Sequence, residues 1–190
     1  MFFPYLPMTI SPTREECLAL IHRMAMLPNI VDHSLKVALV AVFLADRLKA
    51  GGVILDRNLI EAAALLHDIT KTRSLTTGEN HAVTGAELVA SLGYDRLAEV
   101  IVQHVVIVED LTPEQPNEVD VVNYADKRVL HDRVASIEDR RDYVLGRYGT
   151  EPETRERITQ NWQRVAATEQ KLFRFLNFTP GDLNILLTQG

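Results

Sequence analysis

Polar residues that interrupt apolar helical stripes are the feature that most limits what this chain can become. Apolar positions recur every three or four places along most of its 190 residues, the period of one face of an α-helix. Stepping back four places from the stripe Val37, Val40, Ala41, Leu44 and Leu48 reaches His33. Ile60, Ala63 and Ala64 lead to His67, with Asp68 beside it; His81 heads a stripe through Gly85, Leu88 and Leu92. Leu97, Val100 and Ile101 lead to His104, and Asp126 falls among Val122, Val129 and Leu130. Burying such groups unpartnered costs on the order of several kcal/mol each, so a fold that buries these faces has to give them partners.

A lone histidine on such a face is more often a hydrogen-bonded core residue than a metal ligand. Here four of the six histidines and two aspartates are involved, drawn from five helices, and one divalent cation site would satisfy them together. The remaining histidines, His22 and His131, are assigned to the surface or to support of the ligands. Successive helical residues diverge by about 100°, so His67 and Asp68 can reach one ion only near a helix end. The polar segment that begins at Thr70 suggests one.

The stripes also set the expected architecture. Thr13-Arg14-Glu15-Glu16 has the form of a capping box, and Cys17, Leu20, Ile21, Met24 and Leu27 continue a helix to Pro28. The helix bearing His33 stops at Gly51-Gly52, and the next starts near Asp56. A loop over 70–80 precedes a helix over about 81–92 that ends at Gly93; another begins near Asp95 and is closed by a loop with Pro113 and Pro116. After Asp126 a helix from Ser136 to near Gly146 is expected. A long one over about 152–176 follows, with Ile158, Trp162, Val165, Leu172, Phe173 and Leu176 inward, and Pro180 begins a last short turn. Val105 to Val108 is ambiguous between strand and helix, and no strand-like alternation of useful length is found. The expectation is an all-α helical bundle forming a single domain over 1–190, with helices 136–190 packed on a core module at about 30–130.

Composition narrows the partners. A net charge of -6 opposes stable nucleic-acid binding, which needs surplus Lys and Arg to displace counterions from phosphates. A single cysteine, Cys17, excludes an internal disulfide and a Cys-rich zinc site, so a reducing cytoplasmic setting is the simplest expectation and any metal relies on His and carboxylate. Residues 1–8 are apolar but lack a basic start and contain Pro4 and Pro7; they read as a tail packed on the domain rather than a signal peptide. No later run approaches the roughly 20 apolar residues that a membrane span needs. Self-association is left open.

The order of these residues resembles the HD superfamily, whose pattern is a His, then a His-Asp pair, then a distant Asp, on a helical scaffold. His33 in Val31-Asp32-His33-Ser34, the pair in Leu65-Leu66-His67-Asp68-Ile69-Thr70-Lys71, and Asp126 in Asn123-Tyr124-Ala125-Asp126-Lys127 carry the resemblance. His81 and His104 look like the two further histidines that complete a second metal site or contact phosphate in many relatives. The pattern is also similar to that of bacterial HD hydrolases that cleave dinucleoside tetraphosphates. Thr70 stands where the common signature has glycine, and the Gly-Tyr-Pro element of cyclic-dinucleotide phosphodiesterases is missing, which argues against a cyclic dinucleotide.

The resemblance implies an HD-type fold and metal-dependent hydrolysis of a phosphoester or phosphoanhydride in a small, nucleotide-like phosphorylated substrate. His33, His67, Asp68 and Asp126 would hold one divalent transition-metal ion (Fe, Mn, Co, Ni or Zn), and His81 and His104 a second ion or the phosphate. The metal would bring the pKa of its water toward neutrality, with Asp68 as the central catalytic carboxylate. Lys71 matches the signature lysine and would bind substrate by neutralising charge on the phosphate. Arg73, Lys127 and Arg128 are secondary candidates, with Arg73 assigned to the solvated surface. Glu79 and Asp32 either orient imidazoles or cap helices. Glu138-Asp139-Arg140-Arg141-Asp142 reads as a salt-bridged, solvated helix face, and Trp162 and the C-terminal Phe residues read as core. Two other classes remain open: an HD-fold di-iron oxygenase with the same ligand types, and a regulatory metal-binding module. A structural ion needs only about four ligands, whereas six candidates are present.

Overall fold

The computed structural model describes residues 11–108 and 114–188, so the expectations for residues 1–8 and for Pro113 lie outside the described residues. Helix α1 (Arg14–Arg23) starts at the anticipated capping box, with Glu16 N donating to the Thr13 hydroxyl and Thr13 N to the Glu16 carboxylate. It ends at Arg23, and Pro28 opens α2 (Pro28–Ala50) instead of closing α1. The first turn is where a missing N–H is tolerated. Met26 is buried, whereas Leu27 is exposed and caps α2.

Helix α2 buries Val37, Val40, Ala41, Leu44 and Leu48 as expected, with His33 one turn before them. It is 23 residues long, with a mean hydropathy of 1.4 over its most apolar stretch, so by length and composition alone it could cross a membrane, contrary to the expectation from sequence. Half of that stretch is buried, and the helix packs against α3 (Arg57–Leu66) and α7 (Glu118–Lys127). Helix α3, capped by Asp56, buries Leu59, Ile60 and every residue from Ala62 to Leu66. A helix apolar on nearly all sides belongs in the middle of a bundle, and α3 touches α1, α2, α6 (Asp95–Ile101) and α7.

The segment expected as a loop over 70–80 contains α4 (Lys71–Thr77), which buries no residue and stops at Gly78 in the left-handed conformation at φ 72°. Its lack of an apolar stripe hid it from periodicity. Helix α5 (His81–Ser91), capped by Asn80, buries Ala82, Gly85, Ala86 and Val89. The inward face is therefore rotated from the expected one: Leu88 is only partly buried, Leu92 is exposed, and His81 sits partly open at the first helical position. Gly85 lets α5 approach the strand of chain after α3, since a Cβ there would lie 3.4 Å from the Ile69 Cγ2.

Val129 and Leu130 do not continue α7; they form β1 (Val129–Leu130), paired antiparallel with β2 (Arg133–Val134). Helix α8 (Ile137–Tyr148), capped by Ser136, and α9 (Pro152–Phe173) follow. Trp162, Val165 and Leu172 of α9 are buried, Ile158 and Phe173 only partly, and Leu176 lies beyond the helix end. A 3₁₀ turn at Pro180–Asp182 leads into α10 (Leu183–Thr188), and residues 105–108 are irregular rather than strand. Helix α9 is tied to α7 by the buried pair Lys171 Nζ to Asp120 Oδ2 at 2.6 Å, and the Trp162 indole donates to the Ile137 carbonyl at 2.8 Å.

Candidate metal centre

Six side chains that the sequence singles out meet at one end of α3. His67 is the first residue after α3 and Asp68 the second, so the helix does end where adjacent ligands need it to. His33 arrives from the first turns of α2, His81 from the start of α5, His104 from the turn after α6, and Asp126 from the last turn of α7. His67, Asp68, His33, His104 and Asp126 are buried, and His81 keeps 23% of its side chain exposed, which places the opening of the site on its side.

Two sets of ligand atoms share Asp68: His33, His67 and Asp68, and Asp68, His81 and His104, each set lying within 4.8 Å. In the second set the Asp68 Oδ1 is 3.1 Å from the His81 Nε2 and 3.5 Å from the His104 Nε2, and the two nitrogens are 3.2 Å apart. In the first, the His67 Nε2 is 3.4 Å from the Asp68 Oδ2 and 3.7 Å from the Asp126 Oδ1, which in turn is 3.0 Å from the His33 Nε2. Ligands about 2.1 Å from a metal are separated by about 3.0–3.4 Å along octahedral or tetrahedral edges; the contacts at 3.0–3.4 Å have that spacing, and those at 3.5 and 3.7 Å exceed it by a few tenths of an ångström.

The imidazoles are aimed by the backbone. Nδ1 of His33 bonds to the His131 carbonyl at 2.9 Å, that of His67 to the Ala64 carbonyl at 2.8 Å, and that of His104 to the Ile101 carbonyl at 2.7 Å. A carbonyl only accepts, so each Nδ1 carries a proton and Nε2 is the atom turned to the centre, where a metal would take its lone pair in place of a proton. Among the described residues, His67 Nε2 and Asp68 Oδ1 are buried with no hydrogen-bond partner. Unsatisfied lone pairs at coordination spacing are what a divalent cation would complete, so the residues present fit the metal that the sequence implies.

Electrostatics favour ligand character for the carboxylates and His104 and set a proton in competition at His67. Burial opposes ionisation of Asp68, but His67 and Lys71 outweigh it and hold the carboxyl well below the usual range. Asp126 is likewise held low against burial by Lys127 and His33. Burial pushes His104 down to about 4, leaving it neutral at ordinary pH. Burial also opposes a charge on His67, yet Asp68 and Asp126 raise its proton affinity above that of a free imidazole. Lys71 Nζ donates to Asp68 Oδ2 at 2.7 Å and remains 30% exposed, so it borders both the carboxylate and the opening.

Several supporting contacts were not apparent from sequence. Lys127 Nζ donates to Asp126 Oδ2 and to the His104 carbonyl, both at 2.7 Å, and Asn123 Nδ2 donates to the carbonyls of Gln103 and His104. These bonds take up carbonyls left open after α6 and fix His104. His131 acts through its backbone carbonyl, aimed at His33 by a left-handed turn at φ 59°. Arg128 instead turns away to Tyr124, Ala135 and Pro180, and Arg73 forms an exposed pair with Glu79. Glu79 thus serves Arg73 and Thr77 rather than an imidazole, and Asp32 is exposed. Arg140 departs from the expected solvated face: only 14% of its side chain is exposed, and it lies 3.9 Å from the Asp126 Oδ1.

Residues 30–162 match the family model described as HD domain, which extends the shared region past the core module expected from sequence. An uncharacterised protein of Methanocaldococcus jannaschii is 40% identical over 78 residues, 40% of this chain and 45% of that protein. A tRNA (cytidine(56)-2'-O)-methyltransferase of Thermoplasma volcanium is 33% identical over 97 residues, 50% of this chain and 27% of the relative. The chain thus spans less than half the length of these curated relatives. A solved structure described as a predicted HD superfamily hydrolase, from an uncultured Thermotogales bacterium, aligns over 86% of this chain and 92% of that one, with a TM-score of 0.50 and 21% identity. That similarity is one of fold.

Proposed function

The chain belongs to the HD-domain family, and on that premise we propose that it is a metal-dependent phosphohydrolase acting on a phosphoester or phosphoanhydride of a small nucleotide-like molecule in the cytoplasm. The observation that carries this reading is the position of Asp68, whose two carboxylate oxygens face different imidazole sets while Lys71 closes on the same group from the open side. His33, His67, Asp68 and Asp126 would hold one ion, and Asp68, His81 and His104 another. A divalent ion bound there supplies Lewis-acid chemistry, acidifying a water and polarising a phosphoryl oxygen.

The chain's own residues do the rest. The Ala64, Ile101 and His131 carbonyls keep three imidazoles in the ligating tautomer. Lys71, which can swing from Asp68 toward the opening, neutralises charge that builds on the phosphate. The buried walls of α2, α3 and α7 exclude bulk water from the floor of the site, and His81 leaves the approach on its side open. A net charge of -6 favours a small substrate over the tRNA named for the methyltransferase relative.

The test is release of phosphate or nucleotide from mononucleotides, dinucleoside polyphosphates and cyclic dinucleotides by metal-stripped protein resupplied with Mn, Fe, Co, Ni or Mg. Turnover with one or more metals that is lost in Asp68→Ala supports the proposal. A carboxylate shared by two imidazole sets also suits a di-iron oxygenase. Oxygen uptake in the iron-loaded protein with no phosphate release under any metal would select that second reading.

A further inference from the structure

Around Asp68 and Asp126 the positive charge of the protein exceeds what the carboxylates need. Lys71 and Lys127 each donate to one of them at 2.7 Å, and His33 takes the remaining Asp126 oxygen at 3.0 Å. Arg140 is a third cation at the same place. Its contact with Asp126 at 3.9 Å is too long for a hydrogen bond, and its Nε is buried with no hydrogen-bond partner among the described residues. The guanidinium lies 5.8 Å from the centre of the Tyr143 ring, three residues on along α8, and its charge is felt at both lysines.

A guanidinium carries five N–H donors and cannot shed its proton to lower the cost of burial, so one paired with Asp126 only at a distance has donors left for an anion. The exposures differ: Lys127 keeps 6% of its side chain exposed, Arg140 14% and Lys71 30%, so Arg140 and Lys71 are the two that solvent reaches more. Divalent cations bound to these ligands would enlarge the positive surplus and make an incoming anion more necessary.

Resting on the phosphohydrolase reading, we propose that Arg140 of α8 is a substrate-binding residue that, opposite Lys71, takes the non-bridging oxygens of the phosphate group. The fork of the guanidinium then engages two oxygens of one phosphate, a geometry a lysine cannot copy. The Tyr143 ring lies beside the guanidinium, 5.8 Å from its central carbon. This also gives α8 a role in the site that none of the metal ligands provides.

The test measures binding of inorganic phosphate to the Mn-loaded full-length protein by calorimetry, with bound metal and melting temperature recorded for every variant. Arg140→Gln should weaken phosphate binding by about tenfold or more, as expected for loss of a charge-assisted pair, with metal content and melting temperature unchanged. Arg140→Lys should recover only part of the affinity, and Arg141→Gln, whose guanidinium pairs with Asp142 at the surface, should bind as the parent does. Unaltered phosphate affinity in Arg140→Gln overturns this inference alone and leaves the hydrolase reading standing. Loss of metal together with phosphate binding overturns it too, since Arg140 would then be a structural counter-ion of Asp126. A parent protein that binds metal but no phosphate overturns this inference, whereas the hydrolase reading falls only if no nucleotide of the panel is turned over with any metal.

Discussion

Asp68 is the one residue whose loss should be felt by every ion. Its oxygens serve both ligand sets, whereas His81 serves one. Asp68→Ala should therefore bring bound metal to near zero, while His81→Ala should leave the set around His33 and His67 loaded; metal analysis after gel filtration reads both. Equal retention in the two variants would mean that Asp68 is not shared. At a different place, burial pushes the Cys17 thiol up to about 12 from 9.0, aided by Glu61. A raised folded pKa stabilises fully below the unfolded value and is lost as pH rises through the folded one, so this contribution fades between about pH 9 and about pH 12. The same shift predicts that a thiol reagent at pH 8 modifies Cys17 in urea and leaves the folded protein unlabelled; rapid labelling without denaturant would refute the burial. His33, His67, His104 and Asp126 were legible in sequence because each continues an apolar stripe, and Asp68 because it adjoins one; the stripe that drew attention to His81 is not the face α5 buries. Arg140 was not legible, because its neighbours Glu138, Asp139, Arg141 and Asp142 are charged and α8 buries only Ile137. The His131 carbonyl was invisible for another reason: a backbone group has no residue type to read.

At the level of elements, the sequence disclosed those helices that have both a stripe and a cap, such as α1 with its box at Thr13 and α3 with Asp56. It concealed α4, which buries nothing, and the β1–β2 hairpin, where Val129 and Leu130 keep a helical spacing although the chain turns back at His131. Nor does a stripe reveal what will lie across a helix end. Gly51 at the end of α2 has φ -79°, a conformation any residue adopts, so its value is spatial: an added Cβ would sit 2.3 Å from the Phe175 carbonyl oxygen. A backbone atom cannot swing aside as a side chain does. Gly51→Ala should therefore destabilise the protein by about 1–3 kcal/mol by pushing the segment after α9 off α2, while metal content stays at the parent level. Urea unfolding measures it, and an unchanged midpoint would show that the segment shifts freely.

For the whole molecule, the metal ligands come from α2, the end of α3, α5, the turn after α6, and α7, so an ion bound there ties together elements that are far apart in sequence. Unfolding any one of them releases the ion, and binding free energy becomes folding free energy. With free metal 100-fold above its Kd, one site adds about 2.7 kcal/mol, which for a chain of this size raises the melting temperature by about 5–11 °C. The gain should depend on pH. Burial disfavours a charged His67, but Asp68 and Asp126 raise its proton affinity, so metal has to displace a proton that is held more tightly than on a free imidazole. His104, held neutral down to about 4, imposes no such competition. As pH falls, protonated His67 both stabilises the metal-free fold and excludes the ion, and the two effects have the same sign for the difference between loaded and stripped protein. Scanning calorimetry of both forms should thus show a melting gap that is widest above neutral pH and starts to close before the pH reaches the ordinary imidazole range. A gap that stays constant down to pH 5 would remove His67 from the ligand set, and no gap at any pH would mean that these five elements are not joined through a common ion.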